Sequence, residues 1–177
     1  MKTVEVRRHS ERADRSADES PLTERGRQMC LALAGRDYAL VVSSPALRAR
    51  ETAELISGKP PRIDGRLLPD IGALPRGFWE SAKRIADYDE LSVSHTAARR
   101  SAEAQAAVWS ELAAEVEEGG RVLVASHGAV VELGAIAVAQ TLGTTLEGRV
   151  FGLCEGVEIA YDAGGPTAMK LLRVPPL

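Results

Sequence analysis

The sequence predicts an α/β fold: a single-domain three-layer sandwich spanning residues 1–177, with a mainly parallel sheet flanked by helices. Three observations predict it. Short apolar runs rich in β-formers alternate with longer stretches of helical spacing. The clearest strands are separated by helices, the connection that parallel strands need. A chain of 177 residues is long enough for one domain with a real core and too short for two ordinary ones. No internal repeat or linker interrupts it.

Residues 2–6 alternate polar and apolar, as a strand does, and deliver Arg8 and His9 where that strand ends. Ligands of open α/β sheets bind at strand ends, so the pair stands where chemistry is done. Residues 11–21, charged and Ser-rich without periodicity, read as a loop over that end. Thr23 is the expected N-cap of a helix that carries Gln28, Met29, Leu31 and Leu33 and stops at Gly35. Residues 38–43 form a buried strand running into Ser44-Pro45, a cap followed by proline at the first helical position of a helix over 45–57. Ala46, Ala49, Ala53 and Ile56 mark one face of that helix, and Arg48 sits in its first turn, facing the strand ends.

Lys59-Pro60-Pro61 breaks the helix, and Arg62-Ile63-Asp64 reads as a short third strand. Residues 66–80 mix prolines, glycines and apolar residues as a structured loop or lid, in which Phe78 and Trp79 are either packing or a wall for an apolar substrate group. Helices are expected over 81–91 and 96–117, the second with Ala102, Ala106, Trp109, Leu112 and Val116 at helical spacing and stopped by Gly119-Gly120. His95 reads as a surface histidine of the capping region and Arg99-Arg100 as a solvated helix face. Residues 121–126 form a buried strand that ends at His127-Gly128, and 129–142 an apolar helix leaving it. Alternation over 150–161 and 168–174 predicts two closing strands, with a hairpin around 162–166. Strand order is not written in any local pattern. The last helix and Pro175-Pro176-Leu177 fit a dimer interface or ordinary core and tail equally, so the oligomeric state stays open.

The formal net charge of −3 gives no reason to expect a nucleic-acid partner, yet the positive excess gathers around His9 in the first part of the chain. Cys30 and Cys154 form no C-x-x-C pair and sit among apolar residues, which reads as buried free thiols in a reducing compartment. The N-terminus is polar, and no apolar run approaches the length of a membrane span, so a cytoplasmic protein without a membrane partner is expected. Three histidines without close spacing, no H-E-x-x-H, no cysteine cluster and no P-loop predict no metal and no cofactor.

Neutral imidazole is a nucleophile and, once protonated, a donor to anions, while guanidinium offers a permanent charge and a planar fork for phosphate oxygens. Two strands ending in histidine beside Arg8 and Arg48 therefore sketch a phosphoryl site. Four segments sharpen it: Arg8-His9-Ser10-Glu11, Pro21-Leu22-Thr23-Glu24-Arg25-Gly26, residues 43–53 (Ser-Ser-Pro-Ala-Leu-Arg-Ala-Arg-Glu-Thr-Ala) and Val124-Ala125-Ser126-His127-Gly128. In that order, over most of the chain, they resemble the histidine phosphatase superfamily, in its phosphoglycerate mutase-like branch.

The resemblance implies that His9 is the nucleophile that becomes phosphorylated, that Arg8 and Arg48 hold the phosphoryl oxygens, and that His127 donates to them as charge builds. A histidine between two guanidinium groups should itself stay neutral. The leaving alkoxide needs a proton, for which Asp70 stands where many relatives have a glutamate and Glu80, after Trp79, is the fallback. Gly128 leaves no acid directly after the second histidine. Ser10, where the family usually has glycine, adds a hydroxyl able to donate to phosphate, and Arg12, Arg15 or Ser16 replace an Asn-rich loop as contacts to phosphate or substrate. What is implied is a metal-independent phosphatase that hydrolyses phosphomonoesters through a phosphohistidine on His9 and acts on a phosphorylated small molecule or a phosphoprotein. The alternatives are mutase-type phosphoryl transfer, action on phosphohistidine in another protein, and a non-catalytic phosphoryl-binding module; the compact chain favours the phosphatase over the mutase.

Overall fold

The computed structural model describes residues 1–17 and 19–175. The interface reading for Pro176 and Leu177 lies outside the described residues. Among these residues six strands form one sheet in the order β3-β2-β4-β1-β5-β6, where β1 is Lys2–Arg8, β2 Leu40–Ser43, β3 Arg62–Ile63, β4 Arg121–Ser126, β5 Gly156–Asp162 and β6 Gly165–Leu172. The first four run parallel to one another, and β5 and β6 are antiparallel additions. The α/β expectation holds, with a mixed sheet. The pairing with most consequence is β1 against β4, in a register that sets Arg8 opposite Ser126. His9 and His127 thus leave the sheet side by side, tied by a bond from the His9 amide to the Ser126 carbonyl at 2.8 Å.

Alternation of side chains across the strands fills two cores. Val4, Val6, Val42, Val122, Val124, Val157 and Ile159 point to one face, which helices α4 (Ile85–Ser94), α5 (Thr96–Ala114) and α6 (Val130–Thr141) cover with Trp109, Leu112 and Leu133. Val41, Leu123 and Ala125 point to the other, under α1 (Glu24–Leu31) and α2 (Leu47–Ser57). On that second face β1 also buries Glu5 and Arg7. Arg7 Nε donates to Glu5 Oε1 at 2.5 Å, Tyr38 and Arg36 donate to Oε2, and Arg7 Nη1 donates to the Cys154 carbonyl at 2.6 Å. Every charge in the group is answered, which offsets the cost of burying it. Cys30 and Cys154, distant in sequence, are free, buried and 3.9 Å apart between sulfurs.

Several boundaries move for local reasons. Thr23 caps α1 as expected, accepting from the Gly26 amide at 2.9 Å, but the helix ends at Leu31 because the Leu33 amide tightens onto Cys30 rather than continuing the i to i−4 ladder. Helix α2 starts at Leu47 with Ala46 as an uncapped N-cap; Ser44 is not its cap, since its hydroxyl bonds His127. The 66–80 segment holds two 3-10 turns (65–67 and 71–73) and one short helix, α3 (Phe78–Ser81). The helix expected over 81–91 begins at Ile85, where the Asp87 carboxylate takes the Lys83 and Arg84 amides at 2.8 and 2.9 Å and fixes the helix start. The strand expected from residue 150 begins only at Gly156, because residues 151–155 turn aside, with Cys154 at φ +59°, to bond Arg8. A Cβ on Gly156 would lie 1.9 Å from the Val6 carbonyl oxygen, so the close approach of β5 to β1 requires glycine there. His95, Arg99 and Arg100 are exposed. Among the described residues no helix is long and apolar enough to cross a membrane.

Candidate active site

Where β1 and β4 end, the rings of His9 and His127 meet edge to face with centroids 5.3 Å apart and planes at 63°. His9 Nδ1 lies 2.7 Å from the Ser10 carbonyl oxygen. A carbonyl only accepts, so Nδ1 carries the hydrogen and the Nε2 lone pair is left for chemistry. His127 is the mirror case. Arg48 Nη2 donates to its Nδ1 at 3.3 Å, so its hydrogen is on Nε2 and points at Ser44 Oγ, 2.7 Å away.

Both rings are held neutral. Burial is the main cause of pulling His9 down to about 3, with Arg8 and Arg48 adding to it and the Ser10 carbonyl opposing it. Burial likewise takes His127 down to about 2, followed by the influence of His9 and Arg48. Sequence reasoning assigned this neutrality to the two guanidinium groups; enclosure contributes more than they do. Arg8 is aimed by a bond from Nη1 to the Phe151 carbonyl at 2.8 Å, and Arg48 projects from the first turn of α2.

These four side chains line a cavity of about 620 Å³ together with Glu11, Arg12, Arg15, Thr23, Pro69 and Trp79. Of the loop residues singled out from the sequence, Arg12 and Arg15 reach it, with Arg12 Nη2 bracing the Arg15 carbonyl at 2.6 Å. Ser16 is exposed and closes a turn on Asp14. Ser10 is fully buried and faces away: its hydroxyl donates to the Gly26 carbonyl at 2.8 Å and its amide to Thr52 Oγ1 at 2.9 Å.

Asp70 and Glu80 line not this cavity but an adjoining one of about 410 Å³. The two cavities share Pro69 and Trp79 as walls, and each acid directly follows one of those residues. Asp70 Oδ1 accepts from the Gly72 amide at 3.1 Å. A Cβ on Gly128 would lie 3.3 Å from both Arg8 Cζ and the Trp79 ring, so no side chain fits after His127 without displacing one of them. Phe78 is packing: it stacks edge-on against Tyr88 at 5.0 Å. Trp79 is the wall, 41% exposed.

Sequence reasoning missed three contributors. Ser44 becomes visible only when β2 is known to lie beside β4. Glu11, which accepts from Thr23 Oγ1 at 2.7 Å and Arg25 Nη1 at 3.1 Å, fastens the first loop to α1 at the cavity edge. Glu132, buried in α6, takes the Phe151 amide on Oε1 at 2.8 Å and so steadies the carbonyl that aims Arg8; burial pushes its carboxyl up. A lone charge in an apolar helix was the available signal.

Residues 5–172 match the family model of the histidine phosphatase superfamily (branch 1). None of the curated proteins matches the chain. Among solved structures, phosphoserine phosphatase from Entamoeba histolytica in complex with 3-phosphoglyceric acid superposes with a TM-score of 0.66 at 18% identity, covering 98% of each chain. Phosphoglycerate mutase from Bacillus anthracis str. Sterne gives 0.61 at 17% identity over 97% of this chain and 92% of that one. YhfR from Bacillus stearothermophilus gives 0.59 at 23% identity over 94% of each. At these identities the likeness is one of fold.

Proposed function

The chain belongs to the histidine phosphatase superfamily, branch 1, and from that premise we propose that it hydrolyses phosphomonoesters in two steps through a phosphohistidine on His9. One observation carries the reading: a buried, neutral His9 with its Nε2 lone pair free, facing His127 in a cavity that Arg8 and Arg48 line. In the first step Nε2 attacks phosphorus and the ester P–O bond breaks. The guanidinium groups of Arg8 and Arg48 hold the phosphoryl oxygens, and Arg12 and Arg15 draw the dianion in. The arriving negative charge favours protonation of His127, which then donates to the phosphoryl group as charge moves onto it.

The departing alkoxide takes its proton from Asp70, whose Oδ1 is anchored on Gly72 while Oδ2 is left for the exchange. In the second step Asp70 accepts a proton from water, the water oxygen attacks phosphorus, and the P–N bond breaks to release phosphate and restore His9. Glu80 is the reserve acid on the same side. The substrate is a phosphorylated small molecule, whose size suits cavities of about 620 and 410 Å³, and the two free thiols suit the cytoplasm.

The experiment is hydrolysis of a phosphomonoester in the presence of chelator by the native protein and by His9→Ala, with trapping of an acid-labile phosphoenzyme. Turnover that survives the chelator, disappears in His9→Ala and leaves label on the native protein alone is the expected result. Folded native protein that turns over without any trapped phosphate overturns the covalent route.

A further inference from the structure

The two cavities divide their charge. The one containing His9 is lined by four arginines against a single carboxylate, Glu11. The adjoining one has an apolar floor of Ala129, Val130 and Leu133, all nearly fully buried, with Leu74 beside them, while two acids, Asp70 and Glu80, and one cation, Arg76, sit among its lining. The balance of charge favours an anion in the first and gives it no such advantage in the second. Trp79, large, apolar and partly exposed, forms a wall of both, as does Pro69, so the two cavities adjoin at its ring. The volume of about 410 Å³ falls within the range of small-molecule sites.

We propose that this second cavity is the leaving-group subsite and that it selects phosphomonoesters of uncharged, apolar alcohols of about aryl-alkyl size. The inference rests on the phosphatase reading and adds the substrate class to it. With the phosphoryl group between His9 and His127, the ester oxygen points past Trp79 and the organic group lies on Leu133 and Val130. Water leaves the exposed face of the Trp79 wall and what little of the floor it reaches, which favours such a group. A leaving group with its own carboxylate would instead be brought up against Asp70 and Glu80, with Arg76 the single cation of that lining to offset them. The same arrangement sets both candidate acids beside the ester oxygen's departure path. Trp79 and Leu133 are specificity residues in this scheme, whereas Phe78, packed on Tyr88, is not.

The test uses three esters of primary alcohols, so that leaving-group chemistry is matched: phenethyl phosphate, glycerol 1-phosphate and 3-phosphoglycerate. The native protein is expected to show a kcat/KM for phenethyl phosphate about ten-fold or more above glycerol 1-phosphate, with 3-phosphoglycerate lowest. Ser101→Phe, which fills the cavity from α5, is expected to bring the first ratio near one, and Trp79→Ala, on the exposed wall, to reduce it also. A native ratio near one, or a ratio unchanged in both variants while each still binds inorganic phosphate, overturns the proposal. Phosphate binding by the variants is read by calorimetry, and ester binding by the native protein through Trp79 emission, since the other tryptophan, Trp109, is fully buried. Phenethyl phosphate should shift that emission further than inorganic phosphate, which occupies only the first of the two cavities that Trp79 walls. If no ester is turned over and no phosphoenzyme forms, the phosphatase reading fails, and the fluorescence result alone then keeps or removes the apolar subsite.

Discussion

The phosphoryl cavity and the cavity beside it are separated by one indole ring and built on different principles. In the first, position comes from the sheet: the β1/β4 register puts His9 next to His127, and each ring is pinned by a 2.7 Å bond, to the Ser10 carbonyl and to Ser44. In the second, position comes from local closures within 66–81, such as Asp70 on Gly72 and Ser81 on Phe78. Long-range register is costly to disturb and suits chemistry that tolerates little displacement. Local turns can change residue by residue without disturbing the core, which suits selectivity. Substitutions in the first region should therefore act on kcat, and those in the second on the ratio between substrates.

The largest effect is expected from His9→Ala, a loss of about a thousand-fold or more in kcat with no phosphoenzyme, measured by single-turnover kinetics. Arg48→Ala should cost about a hundred-fold, divided between KM and kcat, because its guanidinium meets both bound substrate and transition state. In single-turnover kinetics Asp70→Asn should slow phosphorylation of His9 by alkyl esters by about a hundred-fold and spare that step for p-nitrophenyl phosphate, whose leaving group departs without a proton. If Glu80→Gln gives that pattern instead, the acid role moves to Glu80. A loss as large as that of His9→Ala from any substitution in 66–80 would break the division between the two regions.

The first region was more legible in the sequence than the second, for a physical reason. Strand ends, helix starts and Gly26, whose Cβ would lie 2.4 Å from the Glu11 carbonyl oxygen, leave strong local marks, and they brought Arg8, His9, Arg48 and His127 together in advance. Strand order leaves none, so the partnership of Ser44 with His127 was hidden and Ser44 read as a cap. Ser10 was read from chemistry alone; its direction depends on α1 packing against it, which no local pattern reveals. In 66–80 the residue types announced a lid, but which of Phe78 and Trp79 packs and which faces substrate depends on where Tyr88 sits. The alternation over 150–155 was real, yet the demands of Arg8 overrode it.

Neutral buried imidazoles also make stability depend on pH. Below 6.5 the unfolded chain protonates both rings, while the folded chain resists down to about 3 for His9 and about 2 for His127. Protons therefore favour the unfolded state, and the contribution present above pH 6.5 is lost as pH falls, by up to about 1.4 kcal/mol per pH unit for each ring. Denaturant titrations between about pH 6.5 and 4 should show a shallower slope for His9→Gln than for the native protein. The difference between the two isolates the ring from Glu132, which acts in the opposite sense. Inorganic phosphate should flatten the native slope by supplying the counter-charge, and a native slope equal to that of His9→Gln would mean that the ring is hydrated.

The smallest and most discriminating test sets two serines against each other. Ser44 Oγ takes the Nε2 hydrogen of His127, a ring that lines the cavity, whereas Ser10 Oγ gives its hydrogen to Gly26 behind it. Both are fully buried, so removing either hydroxyl should lower stability by about 1 kcal/mol in a denaturant titration. Only Ser44→Ala frees the ring that must face the phosphoryl group. Its kcat should fall by about three- to ten-fold at constant KM, since a bond of about 1 kcal/mol is lost from the ring's alignment. Ser10→Ala should keep its kcat. If both variants lose kcat equally, the cavity senses the packing of α1 as closely as its own hydrogen bonds, and the phosphoryl site extends one layer deeper than the ring pair.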